Sequence, residues 1–106
     1  MPAELTERFP ELATINWRRG GLPLRIGGWL LGRSSVSGIT LWNTVMLAEG
    51  AESDVELLLH EARHTEQYRS DAFFPLRYLW GSLRYGYTNN PYEIDARNHA
   101  AKRSGP

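Results

Sequence analysis

Cysteine is absent from this chain of 106 residues. The absence excludes disulfide bonds and metal sites built on thiolates, and it fits a reducing compartment. Twelve basic and twelve acidic residues cancel, so the chain lacks the positive charge with which proteins bind nucleic acids. Its apolar runs are too short to cross a bilayer, and no basic and then apolar signal segment opens it. We therefore expect a cytoplasmic protein with no nucleic-acid or membrane partner.

The chain also lacks internal repeats and low-complexity linkers, so residues 1–106 are expected to form a single domain. Hydrophobic residues make up 42% of the sequence, which is enough to fill one core. Seven of the ten glycines lie within residues 20–50, but no phosphate-binding loop or dinucleotide-binding fingerprint accompanies them. These glycines are therefore assigned to turns between strands.

The character of the sequence changes along the chain. Residues 3–19 are charged and mixed, and Pro10 interrupts any helix there. Four apolar side chains of that segment are available to dock on a core: Leu5, Phe9, Leu12 and Ile15. The glycine-rich part that follows predicts three short strands of a meander: Leu24–Leu31, Val36–Thr40 and Asn43–Ala48.

Helical patterns begin at Ser53. Ser53 and Glu56 form a capping box ahead of three leucines, and the helix that they open is expected to run to about residue 70. Two further helices are expected, the last of them capped by Asn90, over roughly residues 74–85 and 91–103. Strands followed by three helices predict a compact α+β domain.

The first of these three helices carries His60-Glu61-Ala62-Arg63-His64 in its middle. Positions i and i+4 share one face of a helix, so both imidazoles can bind one metal ion. A carboxylate beside the first histidine can reach a water on that metal, and this is the H-E-x-x-H pattern of zinc hydrolases. The E-x-x-H element of di-iron bundles is an alternative interpretation, but it needs a second such motif and two more glutamates on four long helices.

A catalytic zinc site usually has three protein ligands, so a third must come from elsewhere in the chain. Glu66 lies on another side of the motif helix, and Asp71 falls at its end. A ligand from a separate helix is geometrically easier, and the final helix offers three candidates: Glu93, Asp95 and His99.

The three candidates differ in what else they can do. Glu93 precedes Ala96 and Ala100, a stripe of small residues that would let the final helix approach the motif helix closely. At the third helical position, however, Glu93 can also serve the helix cap. Asp95 and His99 share a different face, where they can pair with each other or support a ligand.

The motif at residues 60–64 and the later run Asn89-Asn90-Pro91-Tyr92-Glu93-Ile94-Asp95-Ala96 resemble the gluzincin branch of zinc metallopeptidases, most closely the minigluzincins. The resemblance covers roughly residues 40–100. It implies a zincin-like fold, in which a small twisted antiparallel or mixed sheet packs on the motif helix and two further C-terminal helices follow. It also implies zinc at His60, His64 and Glu93, with Glu61 as the general base toward a zinc-bound water. Asp95 departs from the thermolysin-like pattern, in which an aspartate stands four residues after the ligand.

The resemblance further implies a peptide or protein substrate, and we expect a monomer or a weak homo-oligomer. Tyr87 or Tyr92 is expected to donate to the tetrahedral intermediate, as tyrosines or histidines do in gluzincins. Asn43–Ala48 is expected to be the edge strand beside the cleft, where an extended peptide can pair with it. A metzincin is excluded because Gln67 and Ser70 stand where that pattern needs Gly and His.

A different class of function stays open. A zincin fold can bind zinc and serve as a regulatory or interaction module that is latent or inactive alone. The length of 106 residues leaves little chain from which to build substrate pockets.

Overall fold

The computed structural model describes residues 1–19 and 38–105, and these form a small mixed α+β structure with a three-stranded sheet and four α-helices. The helices are α1 (Ala3–Arg8), α2 (Val55–Ser70), α3 (Phe74–Tyr85) and α4 (Pro91–Ser104). The strands are β1 (Asn16–Arg19), β2 (Gly38–Leu41) and β3 (Thr44–Leu47). Two 3₁₀ turns are Pro10–Leu12 and Ala51–Ser53. No helix of the described part is long and apolar enough to cross a membrane.

The helical predictions are confirmed. The motif helix ends at Ser70, and the two later helices have the bounds expected of them to within one residue. The predicted strand Leu24–Leu31 and the first two residues of Val36–Thr40 lie outside the described residues. The remainder of Val36–Thr40 falls in β2, and most of Asn43–Ala48 is β3.

The order of the sheet is β1-β3-β2, with β1 parallel and β2 antiparallel to β3. The antiparallel pair of β2 and β3 agrees with the expected meander, whereas β1 is a strand that the sequence did not predict, because it lies in the segment of charged and mixed residues. The expectation that Asn43–Ala48 forms the edge strand is wrong. In the described sheet β3 is central, with Val45 paired to Trp17 on one side and Thr40 on the other. Peptide pairing along β3 is excluded by those two neighbours.

The apolar residues of the N-terminal segment do dock on the core, as predicted. Phe9 and Leu12 are almost completely buried, and they join Val45 of β3 and the leucines Leu58 and Leu59 of α2 in one cluster. Ile15 is buried in the same cluster, and Leu5 packs against it. The sheet and the N-terminal segment thus fix one side of α2.

α4 packs along another side of α2. Ala96 and Ala100 are buried, at 0% and 1% exposure. Their small side chains allow the two helices to approach closely, as the sequence predicted. This approach brings the first turn of α4 to the middle of α2.

The start of α2 differs from prediction by one residue. Asp54, not Ser53, is the N-cap, and its carboxylate accepts a hydrogen bond from the backbone N–H of Leu57 at 3.1 Å. Ser53 belongs to the preceding 3₁₀ turn and donates its hydroxyl to the carbonyl of Gly50 at 2.9 Å. Both residues are good cap formers, and the pattern favoured Ser53 because Glu56 stands three residues after it.

Asn90 fixes the start of α4 and ties it to α3. Its side-chain oxygen accepts from the N–H of Tyr92 at 2.9 Å, which makes it the predicted N-cap. Its amide nitrogen donates to the carbonyl of Tyr78 at 3.0 Å and to the hydroxyl of Ser82 at 2.9 Å. Gly81 leaves space for the side-chain amide of Asn90, because a Cβ at position 81 would lie only 3.2 Å from the amide atoms. Asn90 itself is completely buried, and its three hydrogen bonds are partly buried.

We expect Asn90→Ala to lower the free energy of unfolding by about 2–4 kcal/mol. The change removes a helix cap, and it leaves the carbonyl of Tyr78 and the hydroxyl of Ser82 without the amide that donates to them. Urea denaturation followed by circular dichroism measures the change. Asn89→Ala is the control, because Asn89 is exposed, and it should change stability by no more than about 0.5 kcal/mol. Equal losses in the two variants would contradict a linking role for Asn90.

Candidate metal centre

The two motif histidines lie on one face of α2 and converge on a single carboxylate oxygen. Nε2 of His60 is 2.8 Å and Nε2 of His64 is 3.0 Å from Oε1 of Glu93. The side chains of His60, His64 and Glu93 are only 13%, 7% and 3% exposed. The α2 spacing places the imidazoles, and the close approach of α4 supplies the carboxylate.

Of the acidic candidates for a third ligand, Glu93 is the one that reaches the histidines. Glu66 and Asp95 both pair with Arg63, at 3.0 and 2.8 Å, and Asp71 pairs with Arg77 at 3.0 Å. Glu93 does not close the helix cap, because the backbone N–H of Asn90 donates to the carbonyl of Tyr87 at 3.3 Å. Within the described ranges, His60, His64 and Glu93 are the one group of three potential ligands whose donor atoms converge, all within 4.8 Å of one another.

The donor set fits a divalent metal ion. A tetrahedral ion with bonds of about 2.0–2.1 Å holds its ligand atoms about 3.3 Å apart. The two nitrogen–oxygen distances of 2.8 and 3.0 Å are shorter by a few tenths of an ångström. A small outward movement of three side chains therefore suffices to admit an ion. Two imidazole nitrogens and one carboxylate oxygen are the ligand types of borderline transition metals.

Gln67 sets the tautomer of His64. Its amide nitrogen donates to Oδ2 of Asp95 at 3.0 Å and to the carbonyl of Tyr92 at 3.1 Å, which fixes the orientation of the amide. Its oxygen must then face Nδ1 of His64, 2.7 Å away, and Nδ1 is the donor. With the proton on Nδ1, Nε2 is the nitrogen left to bind a metal.

Asp95 therefore supports the site through Gln67 and does not contact the ligands itself. Arg63 forms a two-pronged pair with it, from Nε at 2.8 Å and from Nη2 at 3.3 Å. Hydrogen bonds from Arg63 and then Gln67 hold the pKa of Asp95 below its usual value, although burial opposes them. A charged Asp95 is the stronger acceptor for Gln67. His99, the other candidate on α4, is not part of the converging group, and its charge adds to the lowering of the pKa of Asp95.

Tyr78 is a residue of the site that the sequence did not reveal. It lies in the middle of α3, and its hydroxyl donates to Oε2 of Glu93, the oxygen that faces away from the histidines. Burial, and next the charge of Glu93, raises the pKa of Tyr78. The phenol therefore stays protonated and acts as a donor. Its only sequence signal is its place among many aromatic residues of this part of the chain.

The charges of the three converging side chains depend on one another. Burial would lower the pKa of His64, but the hydrogen bond to Glu93 and the charges of Glu61 and Glu93 raise it to about 9. Burial would raise the pKa of Glu93, but hydrogen bonds with His60 and His64 hold it well below its usual range. With a pKa of about 9, His64 carries a proton at neutral pH and donates it to the carboxylate of Glu93. A metal ion takes the place of that proton, so the site is prepared for a cation.

Glu61 lies beside the three converging side chains and is held from β2. Its Oε2 accepts from the hydroxyl of Thr40 at 2.6 Å, and the side chain is buried. Gly38 leaves space beside the other oxygen, since a Cβ there would lie 3.3 Å from Oε1. Thr40 and Gly38 belong to the predicted strand Val36–Thr40, but nothing in their sequence indicated that they would contact the motif.

Tyr87 and Tyr92 lie in the aromatic surroundings of the site. The ring of Tyr92 packs on Phe74 with centroids 5.0 Å apart and lies 6.5 Å from that of Tyr78. Tyr87 is half-buried, and it contributes to the raised pKa of Tyr78. The expectation that Tyr87 or Tyr92 stabilises an oxyanion stays a prediction. The tyrosine whose hydroxyl contacts the carboxylate of Glu93 is Tyr78.

Comparison with protein-family models, with curated proteins and with solved structures found no match for this chain. The interpretation of the site consequently rests on the arrangement of its own residues. Their convergence supports a metal site, and their chemistry is the basis of the proposal below.

Glu93→Ala should weaken the binding of Zn²⁺ by roughly a hundredfold or more. The change removes one of three ligands, and with it the negative charge of the carboxylate that balances the charge of the metal ion. Competition with a chromophoric chelator measures the affinity, on protein shown to be folded by circular dichroism. Glu66→Ala is the matched control, since it removes an exposed carboxylate from the same surroundings. Loss of the metal in that control, or full retention in Glu93→Ala, would show that Glu93 is not a ligand.

Gln67→Leu should weaken Zn²⁺ binding less, by roughly 10–100-fold, because it keeps every ligand and removes only the acceptor that orients His64. The same competition assay detects the change. Ser70→Ala, an exposed change on the same helix, should leave the affinity unaltered. An unaltered affinity in Gln67→Leu would mean that its hydrogen bond does not prepare His64 for a metal.

Proposed function

We propose that this protein is a zinc-dependent metallopeptidase with a minimal zincin-like fold. The observation that carries the proposal is the convergence of Nε2 of His60, Nε2 of His64 and Oε1 of Glu93 in one buried cluster. Three protein ligands leave a fourth position for a reacting molecule, as in catalytic zinc sites. A mixed sheet against the motif helix, with the third ligand on a later helix, supports the zincin-like assignment.

Zinc is the metal that the donor set favours. Two imidazoles and one carboxylate suit it among the common divalent ions, and hard oxygen-only ligation for Ca²⁺ or Mg²⁺ is not present here. Bound zinc would acidify water and polarise a carbonyl group. The remaining chemistry belongs to the side chains around it.

Glu61 is the general base of this proposal. Thr40 holds its Oε2 at 2.6 Å and so fixes the orientation of the carboxylate. Its Oε1 is then the oxygen that takes a proton from the attacking water and returns it to the leaving amine. Because Glu61 is not one of the three converging residues, its base function stays separate from metal binding.

Tyr78 keeps Glu93 in place during this chemistry. By donating to Oε2, it leaves Oε1 as the single carboxylate oxygen directed at the histidines. Hydrogen bonds of this kind orient ligands and adjust their basicity. Tyr87 and Tyr92 are the residues proposed to donate to the oxyanion of a peptide or protein substrate, which places them in a role distinct from that of Tyr78.

Glu61→Gln tests the mechanism because it separates binding from chemistry. The variant keeps the size of the side chain and removes the proton acceptor. It should bind Zn²⁺ as the natural protein does and lose hydrolysis by roughly 10²–10⁴-fold. The assay is cleavage of unfolded casein, with inhibition by chelator, alongside metal analysis of protein purified without nickel affinity.

Glu56→Gln provides the control, since Glu56 is an exposed carboxylate in the first turn of the same helix. It should leave both zinc content and cleavage unchanged. Full activity in Glu61→Gln would contradict the proposed base. A natural protein that binds one zinc and cleaves no peptide library would contradict peptidase activity and favour a zinc-binding regulatory module.

A further inference from the structure

α3 carries a second apolar face that the core does not use. Its large apolar side chains are more than half exposed, at 56–74%: Phe73 just before the helix, then Leu76, Leu79, Trp80 and Leu83. At 100° per residue these positions span an arc of about 120° on one side of the helix. Single exposed apolar residues are common, but five on one face mark an interaction surface. We call these five residues the outer face of α3.

The opposite side of the same helix accounts for its packing in the domain. Phe74 and Gly81 are buried, and Tyr78 donates to Glu93 there. The inner side therefore holds α3 against the metal centre and Asn90. The leucines and the tryptophan of the outer face take no part in that packing.

The charged residues of α3 itself are all basic, and the one carboxylate beside the outer face, that of Asp71, is paired with Arg77. Between Asp71 and Glu93 the sequence contains no acidic residue, while Arg77 and Arg84 flank the outer face on one side. Arg77 pairs with Asp71 yet remains 61% exposed, and Arg84 lies over the ring of Tyr85. An anionic partner would complement this edge.

The charges also distinguish between kinds of partner. If two copies of the chain met through the outer face, Arg84 of each copy would meet a helix that has no carboxylate, since Asp71 already pairs with Arg77. A lipid bilayer offers apolar chains for the leucines, an interfacial layer that suits tryptophan and tyrosine, and anionic headgroups for the arginines. A helix with this distribution of residues is typical of segments that lie in the plane of a membrane surface.

We propose that the outer face of α3 docks on the surface of an anionic lipid bilayer, with α3 lying in the plane of the interface. This departs from the expectation of no membrane partner, which rested on the absence of a segment able to span a bilayer. The inner side of α3 faces Glu93, so docking leaves the metal centre on the side of the helix away from the lipid. The proposal does not depend on peptidase activity.

Partition of the full chain onto vesicles tests the proposal. We expect the protein to float with vesicles of equal parts phosphatidylglycerol and phosphatidylcholine, and to bind phosphatidylcholine alone about tenfold more weakly. Trp80→Glu should reduce binding to the anionic vesicles by tenfold or more, roughly, because it places a carboxylate within the apolar face. Leu83→Glu, at a position that is 74% exposed, should do the same, and circular dichroism checks that both variants fold.

Trp42→Glu is the matched control. Trp42 lies in the β2–β3 turn and is 65% exposed, against 64% for Trp80, and the change in charge is identical. Its binding should stay within about twofold of the natural protein. The proposal is overturned if the natural protein does not float with anionic vesicles, or if Trp42→Glu loses as much binding as Trp80→Glu. A dimer in solution that Trp80→Glu dissociates, without vesicle binding, would assign the outer face to a second copy instead.

Discussion

A carboxylate that is 97% buried must be compensated, and the compensation of Glu93 determines much of the surrounding structure. Two imidazoles on α2 and a phenol on α3 meet its two oxygens, so one side chain of α4 links three helices. Each helix must then hold its position to within a fraction of an ångström, since a charge-assisted hydrogen bond weakens quickly with distance and angle. The alanines of α4 set its distance from α2, and Asn90 sets where α4 begins and how it meets α3. These features serve the geometry around Glu93 as much as they serve packing.

Features that depend on neighbouring residues were predictable from the sequence. The i,i+4 histidines, Asn90 at a helix start and the alanines three and seven residues after Glu93 follow from helical periodicity, and the structure places them as expected. The approach of Glu93 to the histidines needed one further assumption, that a separate helix crosses α2. Helix geometry and the alanine stripe supported that assumption, and the family resemblance then implied Glu93 among the three candidates.

Features that depend on distant pairing were not predictable. β1 has one apolar residue, Trp17, so it shows no alternation, and its parallel partner β3 lies across a long stretch of chain. When β1 is not recognised in the sequence, β3 is the last strand of the predicted meander. For that reason the sequence wrongly predicts β3 at the edge of the sheet. Tyr78 and Thr40 show the same limit. Tyr78 is one of several aromatic residues in its part of the chain, and nothing beside it in the sequence indicates a contact with Glu93. Nothing beside Thr40 in the sequence indicates its contact with Glu61.

The distribution of buried polar residues bears on why the site exists. Four buried polar residues, only 3–8% exposed, lie together where α2 meets β2 and α4: Thr40, Glu61, His64 and Glu93. Well-packed apolar residues in place of a buried ionic cluster often leave a protein equally or more stable. Stability alone would therefore favour leucines at these positions, as it does at Leu58 and Leu59 on the same helix. A cluster that is costly to bury, oriented by Gln67 and Thr40, and that brings His60, His64 and Glu93 together at one point supports the proposed metal site.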